Sequence, residues 1–296
     1  MDAIEQPWMP DSMESRTIDR EGEEIKSLAL SGRWRLFSDD AIFRVYCELP
    51  KSLSVGLCST HLMEIADAHG LMTAEEVGLR IGKLTRWNVG VVVKMRYLVA
   101  LMRHVIGIVT DFRATRARLD GSTEFRALVD GLWDHKKAAS DVVGHFASVT
   151  AELANEPGNR PEAIAALWAI WDTKAKLRQD LGKIPRARRM ADTMVVIAFK
   201  IRRPDKTSIS KLWTSYIQVV DAELGPLMDE RAEREARREV GAAVARIGQS
   251  DMAQSEALLK ILGLGLTEGT LEFDLLPNGY AAEKIEIAKK ESKKQK

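Results

Sequence analysis

The period at which apolar residues recur changes near Lys94, and that change constrains the fold more than any single motif. Before it, short apolar runs alternate with amphipathic stretches. After it, apolar residues recur three and four apart with few interruptions, the spacing of helices that share a core. At 296 residues the chain is long enough for one large or two ordinary domains.

Residues 1–18 carry Pro7, Pro10 and scattered charges without a period, and read as an irregular lead-in. From Asp19 a helical face of Ile25, Leu28 and Ala29 ends at Gly32. Trp34–Phe37 reads as a short strand, and Ser38 as the N-cap of a helix bearing Ile42, Val45 and Tyr46. Pro50 stops that helix, and Leu53–Ser59 reads as the next strand. A helix over His61–His69 follows. Thr73-Ala74-Glu75-Glu76 is a capping-box pattern opening a helix with the stripe Val77, Ile81 and Leu84. Val89–Val93 reads as a third strand. Residues 19–93 thus alternate helix and strand, the pattern of an α/β layer with a mostly parallel sheet.

Downstream, Tyr97–Leu119 reads as helical up to the break at Gly121-Ser122. Phe125, Leu128, Val129, Leu132 and Trp133 mark another amphipathic helix, and Val142, Val143, Phe146 and Val149 continue the spacing. Pro161 suits the first turn of a helix presenting Ile164, Leu167, Trp168 and Trp171. Further helices are expected at 187–202, 208–223, 227–247 and 252–262, a small strand at Leu271–Leu276, and a fraying basic tail. Trp133, Trp168, Trp171 and Trp213 stand at core spacing.

Net charge is +1, so no overall field draws the chain to nucleic acid or an anionic membrane. No uncharged run approaches the roughly 20 residues that span a bilayer, and the start lacks a signal-peptide pattern. A cytoplasmic protein is expected, with no membrane partner. Cys47 and Cys58 lie among apolar neighbours and read as buried thiols. His61 and His69 are too far apart for the i, i+4 pairing of a helical zinc site. The basic stretch Lys183–Arg189, with Lys200, Arg202 and Arg203, reads as an exposed loop beside a buried helix, with phosphate binding as the alternative.

An ordered set of acidic features carries a family resemblance. Gly22-Glu23-Glu24 opens a helix, an apolar strand closes in Ser38-Asp39-Asp40, and Arg44 follows a turn later. The strand ending Cys58-Ser59-Thr60, the helix HLMEIADAHG, the helix LMTAEEVGLRIGKL and the run near Val91 complete the order. Residues 19–107 in this respect resemble the later part of a PIN domain, in particular the PIN module of bacterial proteins that also carry tetratricopeptide repeats and a Gre-factor-C-terminal-like domain. The resemblance implies a PIN-like α/β module with a partial parallel sheet, followed by a larger all-α domain over 108–296. It implies a divalent-metal endoribonuclease in which Glu23, Asp39 and Asp40 hold Mg²⁺ or Mn²⁺ and act on RNA. Glu24 is the substitute ligand, and Arg44 and Thr60 stand where phosphate would be met.

The family's first strand, with its closing aspartate, has no counterpart in residues 1–18. A truncated reading frame, a degenerate copy or one half of a split protein is therefore expected, its site a ligand short and its sheet edge open to a protein partner or second copy. The alternative is a non-enzymatic helical interaction or scaffold protein whose helical part does the binding.

Overall fold

The computed structural model describes residues 59–86, 94–132, 138–156, 158, 160–224, 230–267 and 269–294. The chain divides into two units, 1–72 with 88–92, and 73–87 with 93–296. In the first, the described element is α1, Ser59–Ala68. The second holds α2 Ala74–Arg86, α3 Met95–Ile106, α4 Phe112–Gly121, α5 Thr123–Leu132, α6 Ala139–Asn155 and α7 Pro161–Ala175. It continues with α8 Gln179–Gly182, α9 Arg186–Lys200, α10 Lys206–Leu224, α11 Glu230–Ile247, α12 Met252–Gly263 and α13 Leu271–Lys294.

Thirteen helices and no strand are found among the described residues, which corrects the α/β expectation. Ser59 and Thr60, read as the end of a strand, form the first turn of α1. The expected strands at Trp34–Phe37 and Val89–Val93, and the run Leu53–Cys58, lie outside the described residues. Leu271–Leu276 is the start of α13 rather than a strand. Its alternation at 271, 273 and 275 imitates period two, but Thr270 caps the helix through the Phe273 N–H at 3.2 Å. The buried positions are Leu275, Leu276 and Gly279, a helical spacing. The tail expected to fray is helical to Lys294. Short apolar runs do not separate a strand from a buried helical segment by period, and here packing decides for the helix.

The second unit is organised on α7. Every residue from Ala163 to Asp172 is buried, so the helix is enclosed on all sides. It packs against α4, α6 and α10. Pro161 occupies its first turn, where the missing N–H costs nothing. Phe146 of α6 stacks on Trp171 at 4.6 Å between ring centroids, and Trp168 lies 5.8 Å from Tyr216 of α10. Trp168, Trp171 and Trp213 are all core residues, as their spacing predicts. Next, α9 packs on α6, α10, α11 and α12, and α11 lies along α13. The Tyr216 hydroxyl donates to the Ala236 carbonyl at 2.6 Å and joins α10 to α11.

Upstream, α2 packs against α3 and α5. Its capping box forms as the sequence predicts. The Thr73 N–H donates to the Glu76 carboxylate at 2.8 Å, and the Glu76 N–H donates to the Thr73 hydroxyl at 3.2 Å. Tyr97–Leu119 is two helices rather than one. Gly107, at φ +58°, takes the left-handed conformation that ends α3 and gives its N–H to the Arg103 carbonyl.

The α11–α13 pair depends on two missing side chains. A Cβ at Gly241 would lie 2.0 Å from the Leu276 carbonyl oxygen, and one at Gly279 would lie 2.0 Å from that of Arg238. Backbone therefore meets backbone in both directions. Gly241→Ala or Gly279→Ala is expected to cost about 1–3 kcal/mol by forcing the helices apart. Gly144→Ala, in α6 with nothing within 4 Å of the added Cβ, is expected to stabilise by up to about 1 kcal/mol. Urea unfolding of the three variants checks the contrast; equal effects would contradict it.

Candidate functional site

Glu23, Asp39, Asp40, Arg44 and Glu24 lie outside the described residues. Thr60 is described, and it is buried in the first turn of α1. Among the described residues no group of three His, Cys, Asp or Glu side chains is placed to hold a metal ion. No described helix is long and apolar enough to cross a membrane.

The densest chemistry lies where α4, α7, α9 and α10 meet. Asp172, in the last turns of α7, is completely buried. Its Oδ1 accepts from Arg189 Nη2 at 2.7 Å and Nε at 3.1 Å. Its Oδ2 accepts from Arg186 Nε at 2.6 Å. The other nitrogens of Arg186 reach Glu223 of α10, its carboxylate at 2.5 Å and its carbonyl at 2.6 Å. Glu223 is then shared with Arg116 of α4, whose second nitrogen lies 3.4 Å from the Thr173 hydroxyl. Arg189 also donates to the carbonyls of Leu181 and Ile184, at 3.1 and 3.3 Å, fixing the turn before α9.

This arrangement decides the reading of Lys183–Arg189. The stretch is not a wholly exposed loop. Arg189 is buried and Arg186 mostly so, both committed to Asp172, while Lys183 and Arg188 face solvent. Both Asp172 oxygens are occupied, so the cluster is a clasp between helices rather than an acid or base free to act. It meets solvent at a cleft of about 280 Å³ lined by Phe112, Arg113, Arg116, Asp120, Ala222 and Glu223. Spacing in the sequence offered one signal for it, an arginine pair three apart opening an apolar helix. The acidic partners stand on two other helices and are not legible in one dimension.

A second clasp joins α9, α11 and α13. Arg246 donates to Asp192 at 2.8 and 3.1 Å, to Glu239 at 3.1 Å and to Glu283 at 3.3 Å. Burial pushes the Asp192 carboxyl up, outweighing the pull of Arg246 and Arg188. Burial opposes charge on Arg246 as well, but Asp192, Glu239 and Glu283 together hold its guanidinium above the ordinary value. Asp180 shows the reverse. Hydrogen bonds from Arg178 at 2.8 and 3.0 Å hold its carboxyl down at about 2.

One surface joins exposed cations to an exposed aromatic ring. The corner from α9 to α10 runs Phe199-Lys200-Ile201-Arg202-Arg203-Pro204-Asp205-Lys206. Ile201 is buried, whereas Phe199 is 53% exposed and Lys200, Arg202, Arg203 and Lys206 face solvent. Arg202 stands 3.6 Å from Glu152 with its own side chain 85% exposed. Asp205 is turned to its own helix, accepting from the Ser208 N–H at 2.6 Å.

Compared with known protein families, curated proteins and solved structures, the chain matches none.

Asp172→Asn is expected to cost about 3–5 kcal/mol, because it leaves two buried guanidinium groups short of a counter-charge. Chemical denaturation at neutral pH measures this; a loss below about 1 kcal/mol would show that the clasp is replaceable. The two shifted aspartates act in opposite senses. Asp180 is lowered in the fold, so its contribution is complete above about 3.8 and is lost as pH falls toward about 2. Asp192 is raised, so the fold holds that proton more tightly, and its contribution declines as pH rises from about 3.8 through the raised value. Carboxyl NMR titration should give an Asp180 midpoint below, and an Asp192 midpoint above, the ordinary aspartate value.

Proposed function

We propose that the chain is a helical interaction protein, whose binding surfaces are presented by the outer faces of its helices. The observation that supports this reading most is the second half of α13. From Tyr280 to Lys294 the helix continues with none of its residues buried. Glu283 ties it to Arg246, while Ile285 is 57% exposed and Lys289, Lys290, Lys293 and Lys294 face solvent. Helical segments this short are marginal alone in water, and covering such a face against a partner stabilises them. The buried charges also support the reading. Asp172, Arg186, Arg189 and Arg246 are engaged in holding helices together, which leaves recognition to the surface.

The metal-dependent ribonuclease reading rests on the sequence resemblance alone, with Mg²⁺ or Mn²⁺ at Glu23, Asp39 and Asp40. One pair of measurements separates the two. A chain ending at Lys284 keeps the Glu283–Arg246 contact and is expected to unfold at the same temperature as the full chain. The full chain is expected to form partner cross-links in cells through Lys289, Lys290 or Lys293, and the shortened chain to lose them. Calorimetric Mn²⁺ titration of the full chain is the other arm. Binding that disappears in Glu23→Ala, accompanied by metal-dependent RNA cleavage, would replace the interaction reading with the nuclease.

A further inference from the structure

We infer that the corner between α9 and α10 is a binding surface for single-stranded nucleic acid. Phe199 supplies the stacking ring, and Lys200, Arg202, Arg203 and Lys206 meet the phosphates. This rests on the interaction-protein reading and names a class of partner for a surface other than α13.

Three observations carry it. First, Phe199 is 53% exposed, although its neighbours Ile197, Ala198 and Ile201 are 0%, 0% and 4% exposed. The fold buries the apolar residues around this ring and leaves the ring out. Second, the four cations outnumber the acids beside them, and those acids are partly committed. Asp205 caps α10 through Ser208, and Glu152 faces only Arg202. Third, the cations and the ring lie within eight consecutive residues that join the end of α9 to the start of α10. They are therefore held within a few nucleotides' reach of one another.

Single-stranded nucleic acid uses both halves of this surface. A base can lie on the exposed ring, and the flanking phosphates fall to the lysines and arginines. An acidic peptide would neutralise the cations and offer the ring nothing in particular. A membrane surface would need more apolar area than one ring, and Ile201 points inward. A second copy would bring like charges together. The small net charge of the chain makes the local patch, rather than an overall field, the source of attraction.

The test is fluorescence anisotropy of a labelled oligo-uridine strand with the full chain, in EDTA so that no metal-dependent cleavage interferes. Binding is expected to weaken with salt, with a log–log slope near about −3 for four cations on a single strand. Phe199→Ala should weaken it about 5- to 150-fold, the range of one lost stacking contact, while Phe199→Trp preserves it. Arg202→Glu with Arg203→Glu should abolish it. All three changes are at exposed positions, and unaltered thermal unfolding confirms that the fold persists. No binding, binding that these variants leave unchanged, or tighter binding to anionic vesicles or poly-glutamate would overturn the proposal. The chain ending at Lys284 keeps the two readings distinguishable. It should bind the strand like the full chain while losing its protein cross-links; cross-links that it retains count against the α13 reading alone. Conversely, absence of strand binding leaves the α13 reading standing.

Discussion

A buried aspartate holds the helices of the second unit in one arrangement. Asp172 lies on the most enclosed helix of that unit and is fully removed from water. An isolated carboxylate there would be prohibitively costly, so its presence requires the two guanidinium groups that reach it. Those groups come from the first turn of α9, and one of them continues to Glu223 of α10 and from there to Arg116 of α4. Four helices are thereby fixed by charges that cannot be separated without leaving one unpaired. Directed hydrogen bonds to both oxygens of one carboxylate fix the start of α9 against the end of α7.

The far side of α9 shows the same logic in milder form. Arg246 gathers Asp192, Glu239 and Glu283 from three helices, but the contact is nearer the surface and Asp192 resists ionisation. The closer constraint on that side is steric. Gly241 and Gly279 let α11 and α13 approach until carbonyl oxygens occupy the space a methyl group would need. The unit is thus clamped by charge at the start of α9 and by close backbone approach between α11 and α13. Phe199 with the cations of the α9–α10 corner, and the last turns of α13, are left exposed.

Helices with strong local signals were legible from residues alone. Thr73 and Glu76 announced α2, Pro161 announced α7, and the tryptophans at 168, 171 and 213 identified the core. Where the reading failed, the signal was a short apolar run. Ser59-Thr60 closes one such run and was assigned to a strand, yet serine and threonine also suit the start of a helix, and there α1 begins. Leu271–Leu276 alternates like a strand over too few residues for period to discriminate. The α/β layer inferred for this part of the chain followed from treating such runs as strands. Glu23, Asp39 and Asp40 lie outside the described part, whereas the charge cluster at Asp172 shows in the sequence only as its arginine pair, because Arg186, Arg189 and Glu223 stand 14, 17 and 51 positions from Asp172.

The sequence by itself did not determine the break at Gly107 or the last helix, α13, but it determined most of the helical segments between Lys94 and Gly263 and which large side chains there are buried. These are local properties, set by the 3.6-residue period and by caps that act within one turn. Only the tertiary structure decided which arginines of Lys183–Arg189 turn inward, which glycines admit a neighbouring backbone, and which apolar side chains, Phe199 and Ile285 among them, are left in water. Each of those outcomes depends on a partner distant in the chain, and spacing along the sequence carries no record of what will be folded against it.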